Sequence, residues 1–340
     1  MQSLKNYSLD ITEQEYHDLP AWSYSVIAKY ARNGFSAMAT LHEKTKVTPE
    51  MEFGSLFDSI LTKGKKTLDD YAVADFSVPD AEKKVLDALL AKFDVPFLEI
   101  SMNDFLITAD SVSYQMKWKP DTRYQKVAAY SGYYDMLRSG KKVVSKADWD
   151  DAVEMAKVFR SDPYLKMIFG TKNTEEVEYI YQAKFVVDYT TKLHGTVKVK
   201  IMPDLLIVDH RALTIQPVDL KSSWMPAYDF PDHFVKMRYD LQGDEYSDVL
   251  RIIIDGIPEY RDYTILPYLF TDVSRTDKVP VTYVYDQTVG LSFTKGDKIY
   301  TYKRWDELLD EILAYEECEA KVPSYISTYG PNDLISILER

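Results

Sequence analysis

The chain has 340 residues, of which 46% are hydrophobic and 28% charged, and its formal net charge is −13. This is an ordinary globular composition, long enough for one elaborated domain or one core with a sizeable insertion. No apolar run approaches the roughly 18–20 residues that span a bilayer, and the single cysteine, Cys318, excludes a disulfide framework and any zinc or iron–sulfur site needing several Cys ligands.

The first residues lack a basic start and an apolar stretch, so no export is expected and the compartment should be cytoplasmic and reducing, with no membrane partner. The acidic balance argues against indiscriminate coating of nucleic acid, because counterion release from phosphates favours basic surfaces. An acidic chain can still act on DNA if positive charge is concentrated in a channel and metal ions neutralise its carboxylates. Two basic stretches, Arg138 to Lys146 and Lys192 to Lys200, are candidates, with solvated loop or strand faces as the plainer reading. The 27 tyrosines beside 14 phenylalanines read as amphipathic packing residues, a few of which could stack on bases.

Ser23 is placed as an N-cap for a helix over SYSVIAKYARNGF, and 51–61 reads as a short helix. Asp80 is expected to cap a clearer helix through AEKKVLDALLAKF, and Ser145 another, on which Trp149, Ala152, Val153, Ala156 and Phe159 recur at helical spacing. The stretch 95–139 between them is irregular in pattern and aromatic, and reads as short helices and loops. After Pro163 the pattern changes. Residues 176–187, 196–201, 205–208 and 213–220 read as strands, a long helix is predicted over 232–254, strands return at 263–270 and 281–285, and the end is helical. The predicted fold is a mixed α/β core over 166–340 with a helical N-terminal elaboration over 1–165, together one compact domain.

Chemistry concentrates in the core. Asp204, in the Pro203-Asp204 pair, lies between two apolar runs. Asp219 and Lys221 project from one face of the following strand, because strand side chains alternate. Two adjacent carboxylates repel unless a cation lies between them, and hard oxygen ligands favour Mg²⁺ or Mn²⁺. Such a metal could activate water beside a scissile phosphate, with Lys221 orienting that water or stabilising developing phosphoryl charge. Pro217 lacks a ladder donor and suggests a bulge or a sheet edge. Gln242 and Tyr246, four apart on the predicted helix with Tyr239 close by, share a face that could bond a phosphate or support the metal's ligands. Gly54, one helical turn before Asp58, permits close approach of another backbone or of DNA. Each piece alone also has a plain structural reading.

Taken in order, GxxxD, PD, DxK and QxxxY resemble the RecB-type branch of the PD-(D/E)xK nuclease superfamily. More closely, the chain is similar to the exodeoxyribonuclease VIII (RecE)-like enzymes of phages and prophages, from about residue 14 onward. Tyr16, Leu19-Pro20, Ser23-x-Ser25 and the Trp305-containing terminal helix share in the likeness. The resemblance implies a restriction-endonuclease-like core, with Asp204 and Asp219 as metal ligands and the carbonyl of Leu220 as a further one. It implies Lys221 as the catalytic lysine, supported by Gln242 and Tyr246. Asp58 falls where many such enzymes carry a metal-binding histidine, and Glu176 or Glu178 falls near a further acidic position. The implied activity is Mg²⁺-dependent exonucleolytic hydrolysis of linear double-stranded DNA in recombination or end resection. Its implied partners are a single-strand annealing protein and further copies of the chain in a ring. The lone Cys318 sets the chain apart from the iron–sulfur RecB-like branches, and no GxxxxGK[ST] motif is present to power a helicase. The rival readings are a catalytically silent relative that binds DNA or a protein partner, and an endonuclease or structure-specific nuclease on the same fold.

Overall fold

The computed structural model describes residues 2–43, 47–169, 173–295 and 297–317. Cys318 and the end of the predicted terminal helix lie outside them. The chain divides into two compact units, 1–48 with 158–340, and 49–157. The boundary expected near 165 therefore lies at 157/158, and the first 48 residues belong with the sheet rather than with the helical region. The chain expected to form one compact domain thus has a helical insertion of 109 residues (157 − 48).

The inserted unit carries the short parallel pair β1 (Tyr71–Ala74) and β2 (Lys142–Ser145). Around its core of Val85, Leu86, Leu89, Phe97, Phe105 and Tyr134 pack helices, including Met102–Ser111, Pro120–Ala128 and Ser131–Arg138 in the stretch read as short helices and loops. Its helix starts are of two kinds. The Ser145 hydroxyl accepts from the Asp148 amide at 3.0 Å, the N-cap bond expected there. In the Asp80–Leu90 helix, Pro79 holds the cap position instead and Asp80 is already helical.

The other unit is built on a mixed sheet. Its strands are β3 (Val177–Tyr181), β6 (Leu205–Asp209), β7 (Thr214–Ser223), β8 (Thr264–Ile265), β9 (Tyr268–Ser274) and β10 (Pro280–Tyr285). The order is β10-β9-β7-β6-β3, with β8 also on β7. β7 runs parallel to β8 and β9, and the other pairs are antiparallel. Between β3 and β6 in sequence, β4 (Phe185–Thr190) and β5 (Thr196–Ile201) form an antiparallel pair, and β11 (Ser292–Lys295) with β12 (Lys298–Thr301) forms another. The architecture is mixed α/β, with helices flanking the mixed sheet. Among the described residues no helix is long and apolar enough to cross a membrane.

Several predicted elements are broken in two, each at a residue that cannot continue the pattern. The strand expected over 176–187 splits into β3 and β4 at Gln182, which has φ 49°. Arg238, with φ 59°, divides the expected long helix into Phe230–Met237 and Tyr239–Asp255. Pro217 lies in a central strand, at neither a bulge nor an edge. Its parallel neighbour is interrupted instead: β8 pairs with Thr214 and Ile215, β9 resumes at Val218, and Pro267 fills the gap. The side-chain amide of Gln216 donates to the carbonyls of Pro217 (3.0 Å) and Pro267 (2.6 Å), satisfying backbone that the ladder leaves unpaired there.

The Tyr239–Asp255 helix is the axis of this unit's core, buried over most of its length and packed against β4, β5 and β8 and against the Trp305–Glu317 helix. Leu241, Val249 and Leu250 meet Leu206, Val208, Ile215 and Trp305. One position allows no side chain. A Cβ on Gly243 would stand 2.6 Å from a ring carbon of Tyr285, whose hydroxyl is tied to Asp244 at 3.0 Å. Helix propensity alone would favour alanine by about 1 kcal/mol. Because the pinned ring cannot move aside, Gly243→Ala is expected instead to destabilise by about 1–3 kcal/mol. A lower urea midpoint at unchanged m-value would show this.

Candidate active site

β6 and β7 form a hairpin whose turn is closed by Asp209, with its Oδ1 accepting from the amides of Arg211 (2.9 Å) and Ala212 (2.8 Å). The antiparallel register pairs Leu205 with Val218 at the other end. Asp204 immediately precedes β6 and so stands just beyond that pair, at the Asp219 end of β7. The Asp204 carboxylate also accepts from the Leu220 amide at 2.7 Å. In an extended strand the N–H and C=O of one residue point to the same edge, so the Leu220 carbonyl faces the Asp204 side.

Asp219 is buried (2% exposed) and held from two sides. The Lys221 ammonium is 2.6 Å from its Oδ2, and the Gln242 side-chain amide donates to its Oδ1 at 2.5 Å. Lys221 also donates to Gln242 Oε1 at 3.2 Å, closing a triangle of three side chains, and lies 4.5 Å from the centre of the Tyr239 ring. Burial by itself would push this ammonium toward neutrality. Asp219 first, then Tyr239, Tyr24 and Asp204, hold its pKa above the ordinary lysine value, so it stays charged. Tyr246, one turn after Gln242, is buried and packs edge-on against Tyr268 with ring centres 6.2 Å apart. Burial drives its hydroxyl well above the ordinary tyrosine range, and the nearby charges of Tyr16, Glu245, Asp219 and Asp204 add to this. It walls the site in neutral form.

The structure thus brings together Asp204, Asp219, Leu220, Lys221 and Gln242, with Tyr246 beside them. Asp58 belongs to the other unit, on the Pro49–Lys63 helix, where its carbonyl accepts from the Thr62 hydroxyl at 2.8 Å. The two glutamates left open by the sequence lie away from Asp204. Glu178 faces Val208, four residues along β6, or about 13 Å at the usual strand rise. It accepts from the Ser3 hydroxyl instead. The Glu176 carbonyl meets the His210 amide, about 20 Å along by the same measure. Among the described residues no three His, Cys, Asp or Glu side chains gather into a metal-binding group.

Three residues missed by the sequence reading border the site. Tyr24 lies against Tyr239, with ring centres 6.4 Å apart. The Tyr268 hydroxyl is fully buried, with no hydrogen-bond partner among the described residues. Asp272 sits on β9 in register with Lys221, fully buried, and accepts from the Ser223 hydroxyl at 2.9 Å, while its other oxygen has no hydrogen-bond partner among the described residues. A charged residue continuing the apolar run YLFTDVS was the available signal. The predicted strand stopped two residues short of it.

The basic stretches proposed from sequence are largely neutralised. Lys192 pairs with Asp306, Lys198 with Asp188, Lys146 with Asp150 and Arg138 with Asp135 and Asp94. The Lys200 ammonium is buried against the carbonyls of Tyr16, His17 and Leu19. Comparison of the sequence with protein-family models and with curated proteins gives no match.

Desolvation, partly offset by the Ser223 hydrogen bond, pushes the Asp272 carboxyl up from 3.8 to about 7. Between those values the unfolded chain has released this proton and the folded chain keeps it, so the Asp272 contribution to stability falls as pH rises through the window. Asp272→Asn should therefore be more stable than wild type at about pH 8, by on the order of 1–3 kcal/mol, with the difference shrinking toward about pH 4. Urea midpoints across that range measure it, and a difference independent of pH would contradict the assignment.

Proposed function

We propose that this chain is a Mg²⁺- or Mn²⁺-dependent deoxyribonuclease with a PD-(D/E)xK core of the RecE-like type, acting as an exonuclease on linear double-stranded DNA. The observation that carries this reading is the convergence of Asp204, Asp219, Lys221 and Gln242 at one end of two adjacent strands. Recombination or end resection, a single-strand annealing partner and a homo-oligomeric ring belong to the same proposal.

The donor set suits the metal. Mg²⁺ keeps several waters and takes one or two carboxylates, so Asp204, Asp219 and the Leu220 carbonyl are sufficient without a third acidic side chain. When bound there, the metal supplies Lewis acidity toward a phosphodiester oxygen and lowers the pKa of water. The chain's own residues do the rest. Asp219 can offer Oδ2 only if the Lys221 ammonium leaves it, which frees Lys221 to donate to a non-bridging phosphate oxygen as negative charge develops. Gln242, bonded to Oδ1, keeps the carboxylate oriented through that change. The buried Tyr246 helps exclude water, and Asp219 with the Tyr239 ring beneath Lys221 keeps the ammonium charged against that desolvation.

One observation favours the silent-relative reading: both Asp219 oxygens are already engaged by Lys221 and Gln242, a closed arrangement that would also serve stability. The two readings part on substrate. End-labelled linear duplex should disappear with Mg²⁺ and survive EDTA, while closed circular DNA stays intact. Lys221→Ala should lower kcat by at least about 100-fold while largely sparing Mn²⁺ binding. Asp219→Ala should reduce both, and Gln242→Ala should cost about 10-fold. Full activity in both Lys221→Ala and Asp219→Ala would sink the site. Absence of cleavage by wild type would leave the silent relative, and cleavage of circles an endonuclease.

A further inference from the structure

Beside the candidate site is an open depression of about 370 Å³, lined by Ala31, Arg32, Asn33, Lys236, Arg238 and Tyr302. Among the described residues no carboxylate lines it, in a chain with 54 acidic and 41 basic residues. The three cations are not equivalent. Arg238 is buried and committed: its guanidinium grips Asp240 at 2.9 Å, bonds the Lys303 carbonyl at 2.8 Å and stacks on Tyr302 at 4.8 Å. It forms the floor. Arg32 and Lys236 are exposed at the rim, and neither forms an ion pair with a carboxylate among the described residues, whereas Lys146, Lys192 and Lys198 of the sequence-proposed patches do.

The depression adjoins Lys221 through a short chain of contacts. The Tyr239 ring lies under Lys221, and Tyr24 packs against Tyr239. The Tyr24 hydroxyl and the Arg32 guanidinium both donate to the Met237 carbonyl, at 3.3 and 3.4 Å. Both rim cations stand in the last turn of a helix, where positive charge is favoured in any case. That does not explain why two such turns converge on one acid-free hollow next to a buried lysine–carboxylate pair.

We propose that this depression seats a backbone phosphodiester of the DNA strand entering the site, with Arg32 and Lys236 as its ligands and Asn33 beside them. The assignment rests on the nuclease reading for the identity of the polymer. It gives an acidic protein the local positive charge that duplex binding requires.

The test is binding without hydrolysis. A fluorescein-labelled duplex with 5′-hydroxyl ends is titrated in EDTA between about 50 and 200 mM salt, and affinity is read by anisotropy. For the double variant Arg32→Ala/Lys236→Ala, the slope of log affinity against log salt should fall by about 1, the share of one phosphate, with affinity at least about 10-fold weaker. Arg32→Lys should keep the wild-type slope, as should Lys198→Ala, which removes a paired surface lysine. Equal unfolding midpoints would exclude misfolding of the double variant. An unchanged slope, no binding by wild type, or an effect seen only when the ends carry a 5′-phosphate would overturn the proposal. Duplex binding with this slope but no cleavage in Mg²⁺ would instead sink the nuclease reading and leave the depression standing. Cleavage with the slope intact in the double variant would do the reverse.

Discussion

The interior end of β7 depends on one ion pair. Asp219 is buried in a strand flanked on both sides, where a lone carboxylate would be neutralised by desolvation. The Lys221 ammonium, two residues on and therefore on the same face, supplies the counter-charge, and Gln242 fills the remaining acceptor. Removing one member of such a pair costs more than the pair contributes, because the other is left buried and charged. The placement of the Tyr239–Asp255 helix, which brings Gln242 over β7, is tied to this satisfaction.

Other acids of this unit are also buried. Desolvation raises Asp272, in register with Lys221, and Asp244, 3.4 Å from the Arg304 guanidinium, both to about 7. Of the three, Asp219 is the one in contact with the Lys221 ammonium. In the proposed nuclease this matters, because a hard cation needs an ionised carboxylate whose present counter-ion can be moved aside.

Much of the sheet was legible because alternation and apolar runs are local signals. The 196–201, 205–208 and 281–285 strands stand within a residue or so of where pattern placed them. Breaks inside elements were less legible. Gln182 and Arg238 adopt positive φ without being glycine, so composition gave no warning at either position. Pro217 was recognised as a problem, but its solution lies in Pro267 and Gln216, residues whose proximity no local window contains. The helical insertion was misjudged for a related reason: residues 1–48 are as helical as those that follow, and only their contacts assign them to the sheet.

Alternation along β7 by itself determined that Asp219 and Lys221 share a face, and helical spacing that Gln242 and Tyr246 do, since both follow from backbone geometry over a few residues. The hydrogen bond from the Leu220 amide to Asp204, the placement of Gln242 on the Asp219–Lys221 pair, and the gathering of Arg32 and Lys236 around one hollow were decided by tertiary structure alone. These contacts join positions 16 to about 200 residues apart. Their energies come from desolvation and charge pairing, which exist only once the chain has closed around them.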